Sequence, residues 1–332
     1  TVQTKIYGLF SYPPRYGQAS ALAMTLAVIT IFSLYLQQRF LGQRSYITMT
    51  GKGAPLDRVP LGVWRVPALC LCGLVFLFSV GLPYLTLLGV SLSRQWATVL
   101  ESGSLTLRNY SYALFEFSLT QQAILNSLGL AAGAATLAMI VGTLIAYLDL
   151  RTRFVGRRVL DYLSLVPLGL PGIVLSVGFI QAWIRPPLVL YGTIWILLVA
   201  YMARYIPFAV RSANTSLRQL DPALEEAARI TGAPWLTSLV AVTVPLIKRG
   251  MLSGWLLIFV PALRELSASI LLFTSGTETI SVAIFQLYEE GYFESVCALA
   301  VVTLVVSLTV LAVARKVAGP SAWELSSKQA RG

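Results

Sequence analysis

Residues 219–250 read QLDPALEEAARITGAPWLTSLVAVTVPLIKRG, a capped, polar-to-apolar stretch lying between two long apolar runs. Asp221 is a natural N-cap and Pro222 a natural first helical residue, so a short helix is expected to begin there. Glu225 and Glu226 come early in it, where carboxylates complement the helix dipole, and Ala227 and Ala228 keep the next face small. Gly232 supplies the left-handed conformation that stops a helix, and Pro234 starts a second one at an angle to the first. The pattern predicts a helix-turn-helix bracket outside the membrane, with projecting carboxylates and a small-residue face suited to a groove of another protein. Because a helix is stiff along its axis, docking of this kind transmits rigid-body motion.

Outward from the bracket the chain is apolar. It is 56% hydrophobic and 12% charged over 332 residues, against about 25% charged residues in an ordinary soluble domain. A membrane-spanning helix needs about 20 mostly apolar residues, and seven stretches meet this: 17–41, 66–91, 122–148, 160–183, 188–209, 251–273 and 295–315. An open sheet would leave backbone donors unpaired in lipid, and no run alternates as a barrel strand does. The fold class predicted is all-α, a polytopic bundle in the lipid bilayer. Pro167, Pro171, Gly172 and Pro261 mark expected kinks inside the spans.

The net charge of +11 does not indicate nucleic acid, because the basic residues sit in short clusters between apolar runs. They read as topology signals. Eighteen of the 25 fall in one alternate set of loops: Arg39 to Arg65, Arg151 to Arg158, Arg211 to Arg249 and Arg315 to Arg331. Cytoplasmic loops hold such an excess, which places the bracket and the C-terminus in the cytoplasm and loops 92–121 and 274–294 outside. The absence of histidine removes histidine-based catalysis and most zinc sites. Cys70, Cys72 and Cys297 lie in apolar runs without a CxxC spacing, so they read as core thiols. No metal site, cofactor or catalytic residue is expected.

The two ends of the chain resemble each other. TVQTKIYGLF at 1–10 parallels TISVAIFQLY at 279–288, and ASALAMTL at 19–26 parallels VCALAVVT at 296–303. A repeat of this kind points to two homologous membrane halves. Residues 1–41 are then the closing helix of an upstream half, 42–65 a cytoplasmic linker, 66–316 a second half with its loop at 212–250, and 317–332 a cytoplasmic tail. With Thr1 in first place, the chain is expected to be part of a longer protein.

Glu226, Ala227, Ala228, Gly232, Val242, Val244 and Pro245 fall at the positions of the EAA motif, E-A-A, three residues, G, nine residues, I-x-L-P. On these residues the chain resembles permeases of binding-protein-dependent ABC importers, with valine where isoleucine and leucine are usual. A surface helix with a glycine stop accounts for EEAARITG alone but not for the full spacing. NSLGLAAGAATLAMIVGTLIAYLDLRTRF at 126–154, with Asn126 and Ser127 at the usual place, and PLGLPGIVLSVGF at 167–179 are similar to recurring segments of that family. The resemblance implies a type I ABC importer transmembrane domain in the bacterial inner membrane. It implies as partners ATP-binding cassette ATPase subunits, a periplasmic substrate-binding protein and a second permease half. Asp221, Glu225, Glu226, Ala227, Ala228, Gly232 and Pro245 become the ATPase-coupling residues.

RELSASILLF at 264–273 and TETISVAIFQLYEEGYF at 277–293 resemble the iron(III)-type branch, in which a (K/R)-E-L-(P/S)-A segment recurs. That branch borders permeases for phosphonate, thiamine and polyamine. Arg264 and Glu265 fall within an apolar run, where each ionisable group costs about 2.5–3.5 kcal/mol on insertion scales. Two readings follow: Arg264, Glu265, Ser267 and Ser269 lie along the translocation path, or they form a structural ion pair with Arg204 or Asp161 as partner. The outer loop's Glu278, Glu289 and Glu290 read as a solvated acidic surface or a dock for the binding protein. An ion-coupled secondary transporter also uses buried charges and broken helices but leaves the EAA spacing unexplained. The chain holds no GxxxxGK(S/T) phosphate loop, so ATP hydrolysis is expected from a separate subunit.

Overall fold

Lipid offers no partner to a free backbone N–H or C=O, and the chain answers that constraint with helices. The computed structural model describes residues 1–10, 15–41, 61–96, 105–153 and 155–318. Most of the expected linker and tail, 42–60 and 319–332, lies outside the described residues. In chain order the helices are α1 (Val2–Gly8), α2 (Tyr16–Leu41), α3 (Gly62–Leu92), α4 (Thr120–Arg151), α5 (Arg157–Gly169) and α6 (Gly172–Trp183). They continue with α7 (Ile194–Arg218), α8 (Ala223–Ile230), α9 (Trp235–Leu263), α10 (Ile280–Glu289) and α11 (Phe293–Ala318). Six described helices, α2, α3, α4, α7, α9 and α11, are long and apolar enough to cross a membrane, and the bent pair α5 and α6 makes a seventh if taken as one span.

Three expected runs are drawn differently. The 160–183 stretch is not one kinked helix but two, bent by 115°. Leu170 and Pro171 between them are both extended, as a residue ahead of a proline tends to be. The 188–209 span begins only at Ile194, after the turn at Gly192, and runs on to Arg218. The 251–273 span stops at Leu263, and residues 264–268 leave the helix before a short turn at Ser269–Leu272. Its other end corrects the bracket: the helix started by Pro234 does not stand apart but continues into the span as α9. Proline lacks an N–H and its ring clashes with the carbonyl four residues back. A π turn at Leu239–Thr243 widens the helix just before Pro245.

The chain divides into two compact units. One comprises Thr1–Ile31, Ser118–Gln286 and the segment from Thr303; within it α4, α7 and α9 pack mutually, with α5 and α6 against α7. Their contact faces are made of small residues. Ala131, Ala134, Ala135, Ala138 and Ala146 of α4 and Ala200, Ala209 and Ala213 of α7 are buried. In lipid there is no hydrophobic driving force between helices, so close approach of backbones has to supply the attraction. A Cβ on Gly142 would lie 2.5 Å from Ala209 Cβ and 2.9 Å from Val210 N, and one on Gly250 or Gly254 would collide with Ser216 or Ser212. The other unit, Phe32–Phe117 with Leu287–Val302, holds α3, whose apolar window is unburied. There Asn109 Nδ2 donates to Ser91 O at 3.0 Å and Ser93 O at 2.7 Å, fastening the turn that follows α3.

The packing of α4 sets a direct comparison. Gly142→Ala forces apart α4 and α7 and is expected to cost about 1–3 kcal/mol, whereas Gly129→Ala on the same helix meets open space. Thermal denaturation of the purified protein in detergent checks this, with a lowered midpoint expected for Gly142→Ala alone.

Candidate functional site

Consecutive residues of a helix point about 100° apart, and in α8 this separates the two glutamates. Asp221 Oδ1 accepts from Ala223 N–H at 3.0 Å, so Asp221 caps the first turn as its chemistry directs. Gly232, at φ +91°, ends the helix, with its N–H on Arg229 O at 3.0 Å and Ala233 N–H on Ala228 O at 3.2 Å. Pro234 is extended and α9 begins at Trp235. Between these stops Glu226 and Ala227 are exposed and Ala228 half-buried, while Glu225 turns inward and is only 6% exposed. The expectation of two projecting carboxylates therefore holds for Glu226 and is corrected for Glu225.

Glu225 is held from three sides. Tyr147 OH donates to Oε2 at 3.0 Å, Thr243 Oγ1 donates to Oε1 at 2.9 Å, and Arg151 Nε lies 3.5 Å from Oε1. Arg151 also donates through Nη2 to Leu217 O at 3.1 Å and Leu220 O at 2.8 Å, the open carbonyls at the end of α7. Tyr147 accepts from Arg229 Nη2 at 3.1 Å and stacks on Trp235 with centroids 6.2 Å apart. Beneath lie Ala146, Ala213, Leu217, Leu239 and Ile247 as a buried apolar floor. One carboxylate thus ties α8 to α4, to α9 and, through Arg151, to α7. Pro245 enters this arrangement indirectly: the π turn that precedes it contains the fully buried Thr243. The outer face of α8 carries Leu224, Glu226, Ala227 and Ile230, the last 86% exposed. Exposed aliphatic side chains grouped around a carboxylate are the makings of a docking surface.

The second group stands where α9 ends. Glu265 is 5% exposed. Its Oε2 receives Tyr205 OH at 2.6 Å and Arg204 Nε at 2.8 Å, and its Oε1 receives Ala268 N–H at 3.0 Å. Its main-chain carbonyl accepts from Tyr201 OH at 3.2 Å and Ser269 Oγ at 2.6 Å. Ser269 is buried and Ser267 half-buried, and Ser267 is packed so closely on Gly172 that a Cβ there would lie 2.6 Å from its own. Ser176 Oγ completes the joint by donating to Ala268 O at 3.0 Å. Arg264 is exposed and points elsewhere. Of the two partners considered, Arg204 pairs with Glu265, while Asp161 pairs with Arg211 at 3.3 Å. Glu265 and Ser269 thus form a clasp between α7, α6 and the break.

At the start of α4, Asn126 Nδ2 donates to Gly276 O at 3.1 Å and Glu278 O at 2.9 Å, and Ser127 Oγ accepts from Ile280 N–H at 2.8 Å. Glu278 is buried and accepts from Gly276 N–H at 2.9 Å, so it is no part of a solvated acidic surface, whereas Glu289 and Glu290 are exposed. Sequence reading passed over Tyr147, Arg151 and Thr243, and over Tyr201 and Tyr205. Spacing carried a signal for two of these groups: Tyr147 and Arg151 stand four apart, and Tyr201, Arg204 and Tyr205 share one helix face. Among the described residues no three of His, Cys, Asp or Glu gather to hold a metal ion.

Residues 134–318 match the family described as binding-protein-dependent transport system inner membrane component, and the chain belongs to it. The ferric transport system permease protein FbpB of Actinobacillus pleuropneumoniae is 29% identical over 301 residues, covering 89% of this chain and 43% of the relative. The chain therefore spans less than half the length of that relative. PhnV of Salmonella typhimurium, a permease assigned to 2-aminoethylphosphonate transport, is 30% identical over 251 residues, covering 74% of this chain and 92% of PhnV. In fold the chain is similar to a chain of a bacterial ABC transporter that imports the acidic polysaccharide alginate, with a TM-score of 0.60 at 18% identity over 78% of this chain and 99% of that one.

Removing one partner of a buried ion pair costs about 3–5 kcal/mol, and substitution at an exposed site stays within about 0.5 kcal/mol. Glu225→Ala is accordingly expected to lower the thermal midpoint of the purified protein sharply, and Glu226→Ala to leave it in place. Equal shifts from these neighbours would remove the inward clamp.

Proposed function

We propose that this chain is the C-terminal part of a two-half permease of an ATP-driven importer for ferric iron, and that α8 seats on a separate ATPase subunit. In this reading residues 1–41 close the upstream half, 42–65 link the halves in the cytoplasm, 66–316 form the second half and 317–332 trail into the cytoplasm. A periplasmic binding protein delivers the substrate, and the chain itself hydrolyses nothing. The carrying observation is the two-sided α8: Glu225 is clamped to α4 and α9 while Glu226, Ala227 and Ile230 face away. A docked helix that is bolted to two spans passes on the movement of its motor, whereas a loose one would absorb it. Asp221 and Gly232 set the helix ends, and Pro245 belongs to the turn that supplies Thr243. Ferric iron is favoured by the long ferric-transport relative, whose match extends over 89% of this chain. The same machinery for phosphonate, thiamine or polyamine is the second reading, favoured by the match to nearly all of PhnV. Arg264, Glu265, Ser267 and Ser269 lie beside the translocation route in this reading, with Arg264 exposed where α9 breaks.

Uptake of radiolabelled ferric iron by cells carrying the complete system, with co-purification of the ATPase, tests both parts. Glu226→Lys and Gly232→Asp are each expected to lose the ATPase and to reduce uptake about thirtyfold or more, the equivalent of an interface residue worth about 2 kcal/mol. Intact complex and uptake in both variants would end the docking role. An intact complex that imports aminoethylphosphonate and not iron would overturn the substrate alone.

A further inference from the structure

Where α7 and α9 lie side by side, their close approach at Gly250 and Gly254 leaves a groove of about 610 Å³ within the first unit. Arg211, Thr215 and Gln219 of α7 form one bank, and Ser253 and Leu257 of α9 the other, all five of them exposed. Steps of four and seven residues return to one helix face. Arg218, seven after Arg211, therefore extends the first bank, while Arg249, four before Ser253, and Arg264, seven after Leu257, stand at the two ends of the second. These three arginines are also exposed and take part in no ion pair among the described residues. The hydroxyls are occupied by their own helices: Thr215 Oγ1 donates to Arg211 O at 2.9 Å and Ser253 Oγ to Arg249 O at 3.0 Å. Asp161 of α5 accepts from Arg211 Nη2 at 3.3 Å. The donors left for a solute are the other guanidinium N–H groups of Arg211 and the amide of Gln219.

We infer that this groove is the cytoplasmic limb of the translocation route and that it selects an oxyanion-bearing cargo, with Arg211 setting the preference. The inference rests on the importer reading above and adds to it the charge class of what is carried. An excess of arginine at the cytoplasmic membrane face accounts for Arg218 and Arg249. It does not account for Arg211, about 10 Å inside the end of α7 at 1.5 Å per residue, nor for Arg264 at the opposite end of α9. Ionisable residues within a span face protein or water, since lipid offers them no partner. Basic groups spaced along a low-dielectric wall concentrate anions there and repel cations, and the guanidinium fork matches a pair of carboxylate or phosphonate oxygens. Ferric iron then crosses wrapped in anionic oxygen ligands, and a phosphonate is drawn by its own oxygens. A polyamine or thiamine, each a cation, is opposed.

Cysteine labelling of the complete importer in membranes, with its ATPase bound, tests this. Cys70, Cys72 and Cys297, with any cysteine of the other half, are replaced by serine, and Ser253→Cys is introduced. It is reacted with two methanethiosulfonates, the anionic ethylsulfonate and the cationic ethyltrimethylammonium, each rate being divided by that for free mercaptoethanol. The anionic reagent is expected to be favoured about tenfold. That preference is expected to fall toward unity in Arg211→Gln and to rise in Asp161→Asn, which releases Arg211 from its acid; a purely packing role for Arg211 would move neither ratio. No labelling by either reagent, or a preference for the cation, would overturn the anion route. The unsubstituted importer is offered radiolabelled ferric iron, aminoethylphosphonate, putrescine and thiamine in parallel. Uptake of either of the first two agrees with the assignment and shows which oxyanion cargo is carried, whereas uptake of putrescine or thiamine overturns it. Iron import alongside cation-selective labelling sinks only the anion route, and a complex that imports none of the four and binds no ATPase sinks the importer reading on which the groove depends.

Discussion

A carboxylate withdrawn from water has to be met by donors in the protein, and two of the three buried in the first unit, Glu225 and Glu265, stand at opposite ends of α9. Each is met by groups on several helices: Tyr147, Arg151 and Thr243 at one end, Arg204, Tyr205 and the Ala268 N–H at the other. Since a buried charge loses several kcal/mol when a partner is withdrawn, neither node tolerates sliding of one helix past another. α7 takes part in both, offering its terminal carbonyls to Arg151 and the Tyr201, Arg204 and Tyr205 side chains to the residue 265 turn.

From Thr243 at one node to Leu263 at the other, α9 extends about 30 Å at 1.5 Å per residue, and its close packing comes from small residues. Gly250 and Gly254 admit α7 so closely that any side chain would collide with Ser216 or Ser212, and Gly142 does the same between α4 and α7. Packing of that closeness leaves little room for continuous deformation, so displacement at one end is carried as a body to the other. The outward Glu226, Ala227 and Ile230 are where the proposed motor would apply the displacement, and the clasp at Glu265 is where it would arrive. The π turn at Leu239–Thr243 joins the two roles, since it relieves Pro245 and holds the Thr243 that binds Glu225.

Helical class, approximate spans and the caps of α8 were legible because each depends on a few neighbouring residues. Asp221 accepts from Ala223 N–H and Gly232 takes a positive φ as their chemistry directs. The break after Leu263 was not legible, because RELSASILLF is apolar enough to pass for the end of a span. What stops the helix there is the Glu265 side chain bonding the Ala268 N–H, backed by Arg204 and Tyr205 from sixty residues earlier. The 115° bend between α5 and α6 was announced by Pro167 and Pro171 only as a kink.

By itself the sequence determined that the chain is a membrane bundle of helices and that a capped bracket interrupts it, because the length of an apolar run and the placing of Asp, Pro and Gly act over one or two turns. Only the tertiary structure decided that Glu225 faces in while Glu226 faces out, and that Glu265 is a clasp while Arg264 is not. Adjacent residues on a helix differ only in azimuth, and azimuth is set by which neighbouring helix supplies the donors, a fact written in residues far away along the chain.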